Sequence, residues 1–217
     1  AAIARLYVRR WQVNALEFYD NNFFTHEFRV AEIAERIAPL QLAWWGEARI
    51  DTLLKFSEKT WRAMRDSGLK MVFMGAETSS SEVLRRMDKG GTMTPEKTFE
   101  VAARTRQYGI VPEFSFVVGN PPEPETDILA TMDFIRRLKI VNPKSEIIIY
   151  NYTPVPLDGE LYNSALADGF IFPATLEEWV NSSWLSFSSR RHAQVPWLSE
   201  RLRHKIRNFE RVLNAYY

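Results

Sequence analysis

The amino-acid sequence predicts an α/β fold of about five parallel strands with outer helices, read as an incomplete (β/α) barrel followed by a helical C-terminal tail. Three observations carry this reading. Strand-like and helical runs alternate five times between residues 15 and 152. Such alternation specifies parallel strands with right-handed crossovers, in either an open doubly wound sheet or a (β/α) barrel. No Gly-x-Gly-x-x-Gly opens a helix and no Gly-x4-Gly-Lys-Ser/Thr occurs, so the two commonest nucleotide-binding sheets lack their phosphate loops, which favours the barrel. The strand ends are polar (Asp20-Asn21-Asn22, Glu47 with Arg49, Glu77-Thr78-Ser79, Gly119-Asn120-Pro121, Tyr150-Asn151-Tyr152), and in barrels the chemistry sits at the carboxyl ends of strands.

Each element has a local reason. A helical stripe of Ile3, Leu6, Tyr7 and Arg10 leads to a short strand within 15–20 that stops at Asp20-Asn21-Asn22. A helix is expected from Thr25, with Val30, Ile33, Ala34 and Ile37 recurring at three and four and Pro39 after its end. The second strand covers 41–47. The helix after it is expected to be capped by Asp51, to face Leu54, Trp61 and Met64 inward, and to end at Gly68. The third strand, 70–77, precedes a short helix at Ser81–Met87 and a longer one that starts at Thr94-Pro95, where a first-turn proline needs no donor, and closes at Gly109. A fourth strand at 113–119, a helix at Asp127–Lys139 and a fifth strand at 145–152 complete the pattern.

After Pro156 the alternation stops. A short helix and loop at Leu157–Phe172 lead into a tail that holds three of the seven tryptophans, Trp179, Trp184 and Trp197. From Arg190 to Arg211 there are seven Lys/Arg against two Glu, and Leu198, Leu202, Ile206, Phe209 and Leu213 line one face of a final helix. Two parts are therefore expected: a partial barrel over 1–156 and a helical extension over 157–217 packed on it.

Composition narrows the function classes. With 217 residues, 46% hydrophobic, the chain supports a full core without staples, and it has none, because it contains no cysteine. That excludes disulfides, a thiolate zinc site, a cysteine nucleophile and a cysteine-ligated iron–sulfur cluster held by these residues alone. His26, His192 and His204 show no ligand spacing, so no metal-binding residue is assigned. A net charge of +1 gives no field for nucleic acid or an anionic membrane, and no apolar run approaches the ~18 residues of a membrane span. A cytoplasmic chain is expected. It begins Ala1-Ala2-Ile3 without an initiator Met, which suggests a piece of a longer protein.

Several motifs in order resemble the radical S-adenosylmethionine (radical SAM) superfamily, in the branch with an upstream cobalamin-binding domain. They are Phe18-Tyr-Asp20-Asn-Asn-Phe23, Arg49-Ile-Asp51, and Gly75-Ala-Glu77-Thr-Ser79 with Leu84 and Lys89-Gly90. Val118-Gly119-Asn-Pro121-Pro-Glu-Pro-Glu125-Thr126 is similar to that branch's Gly-x-Pro-x-Glu-Thr turn with an insertion, and Tyr152-Thr-Pro154-Val-Pro156 with Leu161-Tyr162 to its Tyr-x-Pro-x-Pro segment. Two departures stand out. Asp158-Gly159-Glu160 replaces the usual Gly-Thr, and the defining Cys-x3-Cys-x2-Cys is absent, its place falling before residue 1.

The resemblance implies a partial, TIM-like barrel in which a 4Fe–4S cluster, with ligands outside this chain, and S-adenosylmethionine generate a radical or pass a methyl group through cobalamin, for methylation, cyclisation or another rearrangement. A reductant such as flavodoxin or ferredoxin and a small-molecule substrate are the implied partners. Asp20 and Asn21 are expected to accept from the methionine amino group, the alternative being a helix cap. Glu77 is expected to accept from ribose hydroxyls or the amino group with Ser79 assisting, or to pair with Arg49, which is otherwise expected to grip the methionine carboxylate. Val118, Gly119 and Asn120 are expected to offer an unobstructed backbone to an adenine edge, or to be a plain turn. Tyr150 and Tyr152 line adenine or substrate, or simply pack. No catalytic residue is assigned. The competing functional class is a non-catalytic barrel that binds a protein or RNA through its basic, Trp-rich tail, isolated residues 1–217 being inactive in either case.

Overall fold

The computed structural model describes residues 1–87, 92–156, 159–182, 184 and 195–216. Lys89-Gly90, Leu157-Asp158, Arg190 and His192, singled out above, lie outside the described residues. Five strands, β1 (Ala15–Phe18), β2 (Ala43–Ala48), β3 (Leu69–Glu77), β4 (Val111–Val118) and β5 (Glu146–Asn151), form one open sheet of parallel strands in chain order. The helices are α1 (Ala2–Trp11), α2 (Glu27–Ile37), α3 (Ile50–Leu53), α4 (Glu58–Asp66), α5 (Ser81–Arg86), α6 (Pro95–Tyr108), α7 (Pro124–Val141), α8 (Glu160–Ala167), α9 (Leu176–Trp179) and α10 (Glu200–Tyr216). The alternation read from the sequence is the alternation observed. Among the described residues, no helix is long and apolar enough to cross a membrane.

Strand periodicity separates the two faces. Along β3, Val72, Met74 and Ala76 are buried while Met71, Phe73, Gly75 and Glu77 are half-buried, as a period of two requires. The buried face of β2 begins at Trp44, whose indole donates to Ser67 Oγ at 3.0 Å while Ser67 donates to Met64 O at 2.8 Å, so a polar atom inside the core is satisfied.

By compactness the chain divides into two units, Ala1–Ala76 with Glu96–Phe114 and Leu138–Glu146, and Glu77–Pro95 with Ser115–Arg137 and Ile147–Tyr217; the boundaries fall within β3 and β4 and at the start of β5. In the first unit Phe18, Phe23 and Phe24 pack around Trp44, with ring centroids 5.6, 5.9 and 6.0 Å away. That packing corrects one expectation. Helix α2 starts at Glu27, not Thr25, because Phe23–Thr25 form a 3-10 turn that buries two adjacent aromatic rings. Asp51 also differs from its expected role. Arg49 takes the cap position, Asp51 lies inside α3, and the single helix expected here is two, restarting where Ser57 caps α4. The stripe of α1 is open: Ile3, Leu6, Tyr7 and Trp11 are exposed and only Ala4 is buried.

The second unit contains the tail. Leu198, Leu202, Ile206, Phe209 and Leu213 of the final segment are all buried, with Arg201 and Arg207 exposed and Arg203 half-buried. The apolar face of α10 is thus a core face of this unit, with Arg136 of α7 stacked 5.2 Å over Phe209.

Candidate functional site

In the first unit, Asp20 and Asn21 are exposed just beyond β1, and Asp20 stands 3.9 Å from Arg29, whose guanidinium donates to Phe23 O at 2.6 Å. Neither residue caps α2, whose cap position is His26. Arg49 leaves β2 and turns onto Asp51, donating from Nε and Nη2 to the two carboxylate oxygens at 3.1 and 3.0 Å. This planar, two-bond pair holds the guanidinium firmly ionised and fixes its plane. Glu113 on β4 was not singled out in the sequence. Burial first, then the nearby charges of Glu146 and Glu17, holds its carboxyl above the ordinary range.

In the second unit, Glu77 ends β3 with φ 67, in the left-handed region that a glutamate occupies only at a cost of about 1 kcal/mol or more. The following residues explain how that bend is held. Thr78 donates to Asp127 Oδ1 at 3.2 Å and accepts from Ser80 N at 3.2 Å, while Ser79 Oγ lies 3.4 Å from Thr131 Oγ1. The polar ends of β3 are therefore tied to α7.

The same aspartate organises the end of β4. Gly119, at φ 82, donates its N–H to Asp127 Oδ2 at 3.0 Å; Asn120 donates to that oxygen from its backbone at 3.2 Å and its side chain at 3.1 Å. Asp127 lies in the first turn of α7, where an acceptor reaches back to unpaired N–H groups. Burial pushes its carboxyl up, against the opposing pull of these hydrogen bonds.

The backbone at 118–120 is correspondingly engaged within the chain, not unobstructed. Val118 O accepts from Tyr152 N at 2.8 Å, and Gly119 O accepts from Trp197 Nε1 at 3.0 Å. What stays open is a side-chain atom. Asn120 is 2% exposed and its Nδ2 is committed to Val117 O and Asp127, yet its Oδ1 is buried with no hydrogen-bond partner among the described residues.

Tyr150 is half-buried on β5; Tyr152 lies one residue past the strand, buried, its hydroxyl donating to Leu161 O at 3.4 Å and its pKa pushed up to about 12 by burial. Its ring lies 6.2 Å from that of Trp197. Arg86 of α5 donates to Pro121 O at 2.8 Å and to Ser164 Oγ at 3.1 Å.

Asp127, Arg86 and Trp197 belong to this arrangement and were not assigned to the site from the sequence. An acidic residue in a first helical turn just after Gly-Asn was a usable signal for the first. Trp197 stands 78 positions from Gly119, and nothing local marks it. No cluster of three or more His, Asp or Glu among the described residues is placed to hold a metal ion.

Comparison with known proteins places this chain in a family. Residues 7–135 match the radical SAM superfamily. An uncharacterized methyltransferase of Pyrococcus horikoshii is 29% identical over 130 residues, 59% of this chain and 27% of that protein. A ribosomal-protein methylthiotransferase, RimO, of Desulforamulus reducens is 26% identical over 115 residues, 52% of this chain and 26% of that protein. The chain thus spans about a quarter of the length of these relatives. Among solved structures, the radical S-adenosylmethionine methyltransferase TsrM of Kitasatospora setae, with cobalamin and a 4Fe–4S cluster bound, aligns with TM-score 0.55 at 19% identity, covering 66% of this chain and 28% of that one. The cobalamin-dependent S-adenosylmethionine radical enzyme OxsB, with aqua-cobalamin bound, aligns with TM-score 0.53 at 18% identity, covering 85% and 25%. These two likenesses show the fold, and the superfamily match covers more than half of the sequence: the chain belongs to the radical SAM superfamily.

Proposed function

We propose that residues 1–217 are the S-adenosylmethionine-binding part of a radical SAM enzyme that modifies a small-molecule substrate, with methyl transfer assisted by cobalamin as the favoured outcome. The relatives named as methyltransferases and methylthiotransferases support the reaction class. The observation that carries the reading is the amide oxygen of Asn120, buried and without a donor at the carboxyl end of β4. A buried acceptor left unpaired costs ~1–3 kcal/mol, which a ligand N–H at this position would recover.

The residues fit the two expected groups unequally. For S-adenosylmethionine, the unpartnered Asn120 Oδ1 of the second unit supports a fit. Asn120 Oδ1 would accept from the adenine amine, with Val118, Gly119 and Tyr152 framing that turn and Tyr150 beside it on β5. Glu77, held on its bend by the Thr78–Asp127 bond, would accept from ribose hydroxyls or the amino group with Ser79 assisting. Asp20 and Asn21 would accept from the methionine ammonium, and Arg49, its plane set by Asp51, would donate to the methionine carboxylate. When bound, S-adenosylmethionine supplies a radical or a methyl group. For the 4Fe–4S cluster they do not fit. Such clusters are held by thiolates, and this chain has none, so the ligands belong to residues outside 1–217.

A partial barrel over 1–156 and an extension over 157–217 remain the proposed division of labour, and a flavodoxin- or ferredoxin-type reductant the proposed electron source. The test is Glu77→Ala in a protein that carries both this chain and the cluster loop. Cofactor binding is expected to weaken by ~1–3 kcal/mol in calorimetry. Unchanged binding reduces Glu77 to a structural role, and a complete protein without the three cysteines overturns the enzymatic reading.

A further inference from the structure

The stretch from Gly119 to Glu125, which is the β4–α7 connection and the first two residues of α7, is held by three elements of the second unit. Asp127 of α7 takes the N–H groups of Gly119 and Asn120. Arg86 of α5 takes the Pro121 carbonyl. The tail takes both ends: Trp197 donates its indole N–H to Gly119 O at 3.0 Å, and Arg201, one helical turn on, pairs with Glu125 at 2.6 Å. Gly119 is thus fixed on its amide side by α7 and on its carbonyl side by the tail.

The tail also fills the space beside that glycine. A Cβ on Gly119 would meet Leu198 Cδ1 at 3.5 Å, ordinary van der Waals contact, so Leu198 already stands against the turn. The Trp197 ring lies 6.2 Å from both Tyr152 at the end of β5 and Phe170 of the extension, whose own ring neighbours are Phe172 at 4.9 Å and Trp184 at 6.3 Å. An indole suits this place, because two torsions orient a large ring and its one donor together. Connections left to solvent are usually mobile. This one is clasped at its glycine, its proline and its glutamate, and it carries the one buried amide oxygen assigned to the ligand.

We propose that Trp197, from the C-terminal extension, is a positioning residue for adenosine binding: through its bond to the Gly119 carbonyl, backed by Leu198 and the Arg201–Glu125 pair, it sets the β4 turn that presents Asn120 Oδ1. The extension is then part of the cofactor-binding architecture, and the proposal rests on the reading of the turn as the adenosine subsite. A packing role alone predicts that loss of the indole N–H lowers stability and leaves ligand affinity untouched, whereas a positioning role predicts that affinity falls as well.

The experiment titrates S-adenosylhomocysteine into residues 1–217 and follows the amide resonances of Gly119 and Asn120 by NMR, alongside melting temperatures. Wild type is expected to show saturable shifts at both amides. Trp197→Phe keeps a ring and removes the donor; its dissociation constant is expected to rise about tenfold, the loss of one hydrogen bond, beside a modest drop in melting temperature. Trp179→Phe, which alters the extension away from the turn, is expected to leave the constant unchanged. If Trp197→Phe does not fold, Arg201→Glu replaces it: affinity is expected to fall and to return when Glu125→Arg is added. Saturable wild-type binding with an unchanged constant in Trp197→Phe, or in Arg201→Glu where that replaces it, overturns this inference alone. Absence of wild-type shifts at the two amides overturns the adenosine reading and this inference with it.

Discussion

Asp127 gathers four hydrogen bonds at the ends of β3 and β4: three donors on one oxygen and the Thr78 hydroxyl on the other. Removal of the carboxylate orphans these donors, so Asp127→Ala is expected to cost roughly 2–3 kcal/mol. Asp127→Asn is expected to cost much less, since its amide oxygen can accept the same three donors while its NH2 donates to Thr78. The two also separate in pH dependence. Burial raises the Asp127 pKa above its ordinary 3.8, so between that value and the folded one the native state binds more protons than the unfolded state, and stability falls as pH rises through the interval. Asp127→Asn is expected to remove that slope. Denaturant titrations of the three proteins from pH 3 upward check both points; equal losses in Ala and Asn variants would show that the turn is held by something other than this acceptor.

Elements are joined by similar single residues. Glu27, in the first turn of α2, accepts from Ser57 N at 2.8 Å, Ser57 Oγ at 2.6 Å and Thr60 Oγ1 at 2.6 Å, tying that helix to the start of α4. The two hydroxyl donors hold its carboxyl below the ordinary 4.5. A depressed folded pKa gives stability that is complete above 4.5 and is lost as pH falls through the folded value. Glu27→Gln is therefore expected to be less stable than wild type at neutral pH, by about 1 kcal/mol or less because the group is solvent-screened, and to converge with it on acidification; a gap that persists in acid counts against the assignment. Gly68 joins α4 to β3 at φ 98, where a Cβ would stand 2.0 Å from Leu42 O. Gly68→Ala is expected to cost at least about 2 kcal/mol, seen as a drop in melting temperature of about 5 °C or more. The element pattern was legible because strand and helix periodicities differ: all five strands and Pro95 at the start of α6 lie where hydrophobic spacing and proline chemistry put them. Its errors were local. The helix start at Thr25 missed two adjacent aromatics that both pack on Trp44, and the cap at Asp51 missed an arginine two residues upstream that claims the carboxylate. At the candidate site, the strand-end position of Glu77 and Gly119 could be read from spacing, while Trp197 could not, since only the folded tail brings residue 197 to residue 119.

For the whole molecule, the donor set decides what the chain can hold unaided. A cubane cluster requires thiolate ligands, and the 217 residues include none; among the described residues no three carboxylates or imidazoles gather as substitutes. Residues 7–135, which include strands β1 to β4, nevertheless match the radical SAM superfamily. On the proposed function, cluster chemistry and cofactor recognition are carried by different stretches of sequence. Since an open iron would chelate the amino and carboxylate groups of S-adenosylmethionine, a protein holding the cluster would gain binding energy that residues 1–217 lack. The expected outcome is that purified residues 1–217, incubated anaerobically with iron and sulfide and then desalted, retain neither, and bind S-adenosylmethionine no more tightly than S-adenosylhomocysteine. A longer protein with Cys-x3-Cys-x2-Cys ahead of this chain is expected to retain both elements, to bind S-adenosylmethionine more tightly, and to cleave or demethylate it on reduction. Stoichiometric iron and sulfide on residues 1–217 alone would refute the separation, because the ligands would then have to be oxygen or nitrogen atoms of this chain.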